Sequence, residues 1–167
     1  MSIVSPEFNR STIVRAANAE VVGAPTAQVT LLADSSATGG ALSTVRVTLA
    51  KGADGARPHT HERSAEMFYV LDGAVRVLSG TEIVSASAGD VIVVPPRLAH
   101  AFSAEAGRSA EMLIVIAPGI ERFEYFRKLT RIAQGKEPPE SLREVQELYD
   151  TYFLNSPEWE AASRSGR

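Results

Sequence analysis

Gly52-Ala-Asp-Gly-Ala-Arg57-Pro-His59-Thr-His61-Glu-Arg-Ser-Ala-Glu66, running on to Gly73, decides the reading of this chain. His59 and His61 are two residues apart. On a strand, both imidazoles therefore leave the same face, adjacent and able to share one cation. Glu66 stands five residues beyond His61, an odd spacing that would turn it to the other face of an unbroken strand. The polar run Glu62-Arg63-Ser64-Ala65 allows a turn, after which Glu66 opens a new strand facing inward, with Phe68 and Val70 on its side. A second segment, Gly89-Asp90-Val-Ile-Val-Val-Pro95-Pro96-Arg97-Leu98-Ala99-His100, reads as a strand, a proline turn and a returning strand that brings His100 beside the first segment. The chain holds three histidines, and all of them lie in these two stretches. Three imidazole nitrogens and one carboxylate oxygen suit a divalent first-row metal: iron, nickel, manganese, copper or zinc. One carboxylate against a divalent cation leaves a centre of net positive charge, and octahedral geometry would leave open positions for substrate oxygen and for water or dioxygen.

Outward from these segments, the middle of the chain reads as short strands. Val45, Val47 and Leu49 alternate with polar residues, the period of a half-buried strand. Gln28–Leu32 precedes it, with a loose loop at Ser35–Gly40. Glu66–Leu71 runs into Asp72-Gly73, a two-residue hairpin signal, and then Val75–Leu78. Glu82–Ser85, Val91–Val94, Ala99–Ala104 and Met112–Ala117 follow, so the pattern predicts a sandwich or barrel. After Pro118 the period lengthens. Ile120, Phe123, Phe126, Leu129 and Ile132 mark an amphipathic helix stopped by Gly135. Ser141 with Glu144 has the spacing of a capping box ahead of a second apolar stripe, Leu142, Val145, Leu148, Tyr149, Tyr152 and Phe153. Ser156-Pro157 opens a possible last turn holding the only tryptophan, Trp159. The end, Ser163–Arg167, reads as frayed. The expected division is an N-terminal arm (1–27), a β-barrel (28–118) and a C-terminal helical extension (119–167) that braces the barrel or caps a pocket mouth. Val91–Val94 and Met112–Ala117 are apolar on both faces, so their outer face needs a cover, either those helices or a second subunit.

The composition narrows the function classes. At 167 residues, with 44% hydrophobic and 22% charged residues, the chain can bury a core. Lys and Arg number 17 against 20 Asp and Glu, a balance without the electrostatic footprint of a nucleic-acid binder. Cysteine is absent, which excludes disulfides, thiolate nucleophiles and sulfur-ligated metal sites. Neither a signal-like leader nor an apolar run of membrane-spanning length is visible, so the expected setting is the cytoplasm without membrane contact. Arg57 has the strand parity of His59 and His61 and is a candidate for binding an anionic substrate group. Phe68 and Phe102 share faces with Glu66 and His100 and are candidates for the apolar wall of a substrate pocket. Tyr69 has the opposite parity and should face outward.

The two histidine segments resemble the paired motifs of the cupin superfamily. His59, His61, Glu66 and Gly73 match the first motif, with Gly52 one residue farther upstream than the pattern asks. Gly89, Pro95 and His100 match the second, in which Arg97 and Ala104 replace a glycine and an asparagine. The resemblance spans roughly residues 28–118. It implies a mostly β, jelly-roll barrel holding one divalent metal on His59, His61, Glu66 and His100. It also implies a homodimer, as many small cupins form. Small single-domain cupins similar to quercetin dioxygenases imply a dioxygenase acting on an enol or phenol-type substrate, with Glu66 as the general base. Other cupins imply a non-oxidative isomerase, cyclase or decarboxylase, or a small-ligand binding module without turnover.

Overall fold

A computed structural model describes residues 8–165. Its strands are β1 (Val21–Ala24), β2 (Ala27–Ala33), β3 (Ser43–Leu49), β4 (His59–Thr60), β5 (Ala65–Ser79), β6 (Glu82–Ser87), β7 (Val91–Val94), β8 (His100–Ala104), β9 (Ala110–Ala117) and β10 (Tyr152–Phe153). Two helices follow the main strands, α1 (Phe123–Ala133) and α2 (Pro157–Ser165). One antiparallel layer runs β1-β2-β3-β9-β5, with β7 on the far side of β5. The other is built on the second half of β5, flanked by β6 and β8, with β4 and β10 beyond β8. The curled sheet encloses one apolar core. Val45, Val47 and Leu49 from β3 meet Phe68, Val70, Val75 and Val77 from β5 and Met112 and Ile114 from β9. Strand alternation thus carries through to packing, because every second residue of β3 and β9 faces this core.

Asp72-Gly73 is not a hairpin turn. β5 passes straight through it for 15 residues. A hairpin needs its two arms to pair with each other, whereas here the arms pair with different neighbours. Residues 65–73 bond β9, with β7 along residues 66–69, and residues 74–79 bond β6. Gly73 marks a bulge against β9, where the register shifts between Val70 and Asp72. Its φ is +73°, and a Cβ there would lie 1.9 Å from the Ser109 carbonyl oxygen. The glycine therefore bends one strand from the first layer into the second.

The loop at 35–40 is less loose than the sequence suggests. A 3-10 turn covers Ser35–Thr38, and the carboxylate of Asp34 caps α1 from a distance. Its oxygens accept from Arg122 N at 2.6 Å and Phe123 N at 3.1 Å, so they satisfy free donors at the helix start. The capping box expected at Ser141 and Glu144 does not form. Pro139–Val145 is a 3-10 segment, and the Ser141 hydroxyl donates to the Pro138 carbonyl instead. The pair Pro138-Pro139 enters this segment from an extended backbone, and turns lead from it to Asp150, with φ +48°. Its apolar stripe still packs, with Leu142 and Tyr149 against Tyr125 of α1.

The last turn expected at Pro157 is a nine-residue helix. Trp159 from α2 packs on Leu78 and Ala101. Ser163–Ser165, read as frayed, belong to α2, and residues 166–167 lie outside the described residues. No helix of the described residues is long and apolar enough to cross a membrane. β1, inside the segment read as an arm, forms an edge strand on β2 and touches α1.

Candidate metal centre and cavity

The four sequence candidates for metal ligation meet. His59 on β4 pairs in register with His100 on β8, while His61 follows β4 and Glu66 sits at the start of β5. Ser64 is tied to the Pro118 carbonyl at the turn between His61 and Glu66. All four are buried, and their potential ligand atoms lie within 4.8 Å of one another.

Each imidazole is oriented from behind by a backbone carbonyl. His59 Nδ1 donates to Arg57 O at 2.7 Å, His61 Nδ1 to Asp150 O at 2.6 Å and His100 Nδ1 to Leu98 O at 2.9 Å. A carbonyl oxygen can only accept, so the ring proton sits on Nδ1 and Nε2 carries a lone pair. The Nε2 atoms of His100 and His61 face Glu66 Oε2 at 2.6 and 3.1 Å. A lone pair against a carboxylate oxygen at that range repels unless a cation or an extra proton stands between them. The donor set therefore fits a divalent first-row cation.

The electrostatics of the cluster agree with this. Burial, followed by the neighbouring rings of His100 and His61, holds His59 well below the usual imidazole value. Burial pushes Glu66 upward, but the His61 and His100 rings outweigh it and hold the carboxyl well below the ordinary carboxylate range. Burial also pulls His100 down, and the hydrogen bond and charge of Glu66 turn that into a net rise. The cluster thus favours an ionised Glu66 with the proton of His100 held against it, while His59 stays neutral.

Asp150 is the residue that sequence reasoning missed. It is fully buried, and its carboxylate accepts from Glu62 N at 2.9 Å and Arg63 N at 3.0 Å, closing the turn between His61 and Glu66. Its carbonyl orients His61, and β10, two residues farther on, pairs with β4 across Phe153 and His59. The available signal was a carboxylate and a threonine set between aromatics in Tyr149-Asp-Thr-Tyr-Phe. Reading that run as a helical stripe put Asp150 in solvent.

A cavity of about 320 Å³ opens from this cluster, with His59 and Glu66 in its wall. Most of the rest is apolar: Val29, Leu49, Phe102, Phe126 and Leu129. Arg57 also lines it, exposed, with its guanidinium 4.8 Å from the centre of the Phe153 ring. Phe102 reaches the cavity wall, and Gly55 lies under its ring, where a Cβ would come within 2.3 Å of Cε2. Phe68 does not line the cavity. It is fully buried behind Phe102 and His100, at ring separations of 5.4 and 6.2 Å. Tyr69 faces outward, 39% exposed, and Glu62 is exposed away from the cluster.

Residues 45–116 match the Cupin domain family. A comparison with curated proteins found no match. Among solved structures, a Streptomyces PAC13 variant with uridine superimposes with a TM-score of 0.56 at 22% identity, covering 68% of this chain and 86% of that one. PAC13 is described as a nucleoside dehydratase. The polyketide cyclase RemF from Streptomyces resistomycificus gives 0.54 at 18%, covering 65% of this chain and 80% of its own. A predicted oxalate decarboxylase from Thermotoga maritima gives 0.55 at 23%, covering 64% and 98%. The β core of this chain thus has the cupin fold, with a histidine–glutamate cluster that could hold a metal.

Proposed function

We propose that the chain is a metal-dependent enzyme of the cupin superfamily that acts on a small molecule bound in the apolar cavity. One observation carries the reading: His59, His61, Glu66 and His100 converge, buried, at a cavity in whose wall His59 and Glu66 stand. A divalent cation held by these four side chains would supply Lewis acidity, acidifying a substrate hydroxyl or polarising a carbonyl. The chain itself contributes position, dryness and a proton acceptor. The apolar walls exclude water and suit an apolar or aromatic substrate body. Glu66 is the buried carboxylate of the cavity wall, where Asp54 is exposed, and its partners keep it ionised. A carboxylate held this low accepts a proton only from an acidified group, which an enol or phenol hydroxyl beside the cluster would be.

That chemistry has an oxidative form, dioxygenation of an enol or phenol-type substrate, and a non-oxidative form, isomerisation, cyclisation or decarboxylation. The apolar cavity supports the first, since it would admit dioxygen and an aromatic ring together. The dehydratase, cyclase and decarboxylase activities of the fold's other members support the second. Metal analysis of the purified protein together with oxygen uptake during substrate screening tests both. Bound iron, nickel, manganese or copper with substrate-dependent uptake selects the oxidative form. Bound zinc and turnover without uptake select the other. A folded protein with no affinity for any first-row divalent metal refutes the proposal.

A further inference from the structure

Arg122 lines the same cavity, and no carboxylate pairs with its guanidinium. It is 5% exposed and takes part in no ion pair among the described residues. A buried guanidinium without a carboxylate is expensive unless something compensates it. Part of the compensation is visible. Nη1 donates to Tyr149 O at 3.0 Å and Thr151 Oγ1 at 2.6 Å, and the guanidinium carbon lies 4.3 and 5.2 Å from the ring centres of Tyr125 and Phe126. These contacts fix the guanidinium plane. They leave its other edge unpaired: Nε is buried without a partner, and Nη2 makes no hydrogen bond among the described residues. That Nε–Nη2 edge is the fork that pairs bidentately with a carboxylate. Of the carboxylates around it, Asp54 in the cavity wall is exposed and forms no ion pair with Arg122, and the buried ones are engaged elsewhere. Asp34 accepts from the backbone of residues 122 and 123, and Glu66 turns Oε2 to His61 and His100.

We propose that Arg122 is the anion-recognition residue of this cavity and that the ligand is a small monocarboxylic acid with an apolar body, an inference that rests on the cavity being the ligand site proposed above. The Nε–Nη2 edge offers two parallel N–H donors, which match the two oxygens of a planar carboxylate. Arg57, exposed in the same cavity wall, adds a second cation to steer an anion inward, in a chain whose net charge is −3. A competing occupant is a single water. Arg122, Ser43 and Glu66 also line a cavity of about 10 Å³, and the Ser43 hydroxyl is likewise buried without a partner.

Calorimetric titration of the full chain with phenylacetate, phenylacetamide and phenyl phosphate decides this, run on zinc-loaded protein and again after chelation. The expected result is about a 10- to 100-fold preference for phenylacetate over its neutral amide in both states. Arg122→Gln should erase the preference, and Arg122→Lys, which keeps charge but not the fork, should recover only part of it. If the variants do not fold, the acid–amide comparison on the wild-type chain still decides. Equal binding of acid and amide overturns the proposal, as does phenyl phosphate binding as tightly as phenylacetate. So does a crystal structure, solved with saturating acid, showing only water at the Nε–Nη2 edge. A preference present only with zinc and unchanged in Arg122→Gln assigns the anion to the metal cluster; it overturns this inference and leaves the proposed function standing. An acid preference that persists in a protein unable to bind metal does the reverse.

Discussion

Glu66 and Glu62 stand four residues apart and should behave as opposites. Glu66 is buried at the cluster and Glu62 is exposed. Glu66→Gln keeps an oxygen donor and removes the base, so turnover should fall by roughly 10²–10⁴-fold, far more than metal occupancy. Glu62→Gln should be nearly silent, and assays at matched metal content compare the two. Acid should strip the metal. Cation binding needs neutral Nε2 lone pairs and an ionised Glu66, so it releases any protons these groups carry. Affinity therefore falls as pH drops, beginning with His100, whose proton Glu66 holds most firmly. A chelator competition series across pH 5–8 reads this, and a flat profile would contradict the ligand set. Asp150→Ala should lower metal affinity by about 10- to 100-fold through the turn it closes, measurable in the same competition. Arg97 gives a prediction of opposite sign. It occupies the left-handed region at φ +69°, where the cupin motif has glycine, and its N donates to the His61 carbonyl. Arg97→Gly relieves backbone strain against a larger entropy loss on folding. It should leave stability unchanged or raise it by up to about 1 kcal/mol in chemical denaturation.

At the scale of elements, β5 shows how far the pattern of residues could be read. The alternation of Glu66, Phe68 and Val70 was legible because a strand's two faces differ in burial. Its continuation through Asp72-Gly73 was not, because local turn chemistry is the same for a hairpin and for a bulge, and the difference lies in which strands flank each half. Gly73→Ala tests that account. A methyl group meeting the Ser109 carbonyl at positive φ should cost at least about 2 kcal/mol by denaturant unfolding, where a simple surface turn would tolerate it more cheaply. The clustering of the candidate ligands was legible for a similar reason: His59, His61 and His100 are the only imidazoles, and strand parity places them. Their supports were not. Asp34 and Asp150 act through groups 87 to 89 residues away in sequence, a separation no local pattern encodes. The 3- to 4-residue period of the extension marks a helix at α1, while in the second stripe the same period marks packing against Tyr125 in a 3-10 segment and the turns after it.

At the scale of the whole molecule, the outer face of the first layer is exposed along β7 among the described residues. Tyr69 pairs with Val91 and Leu113, and Met67 with Val93 and Val115, so apolar side chains form two rows across three strands. Val91 and Val93 are 54% and 62% exposed. The homodimer expected from the sequence would bury this face. Light scattering should then give twice the chain mass of 17.9 kDa, and Val91→Lys with Val93→Lys should shift it to the single-chain value with the metal site intact. A single-chain mass for the wild type would refute it. The carbonyl behind His61 has a consequence for the order of events during synthesis. All four ligands have been translated by residue 100, but the group that aims one of them arrives with residue 150. A ribosome-bound chain would carry its complete donor set while one ring still lacked its orientation. Loading with metal would thus come as a late step of biogenesis, and a nascent chain stalled before residue 150 would hold its ion loosely enough to exchange it.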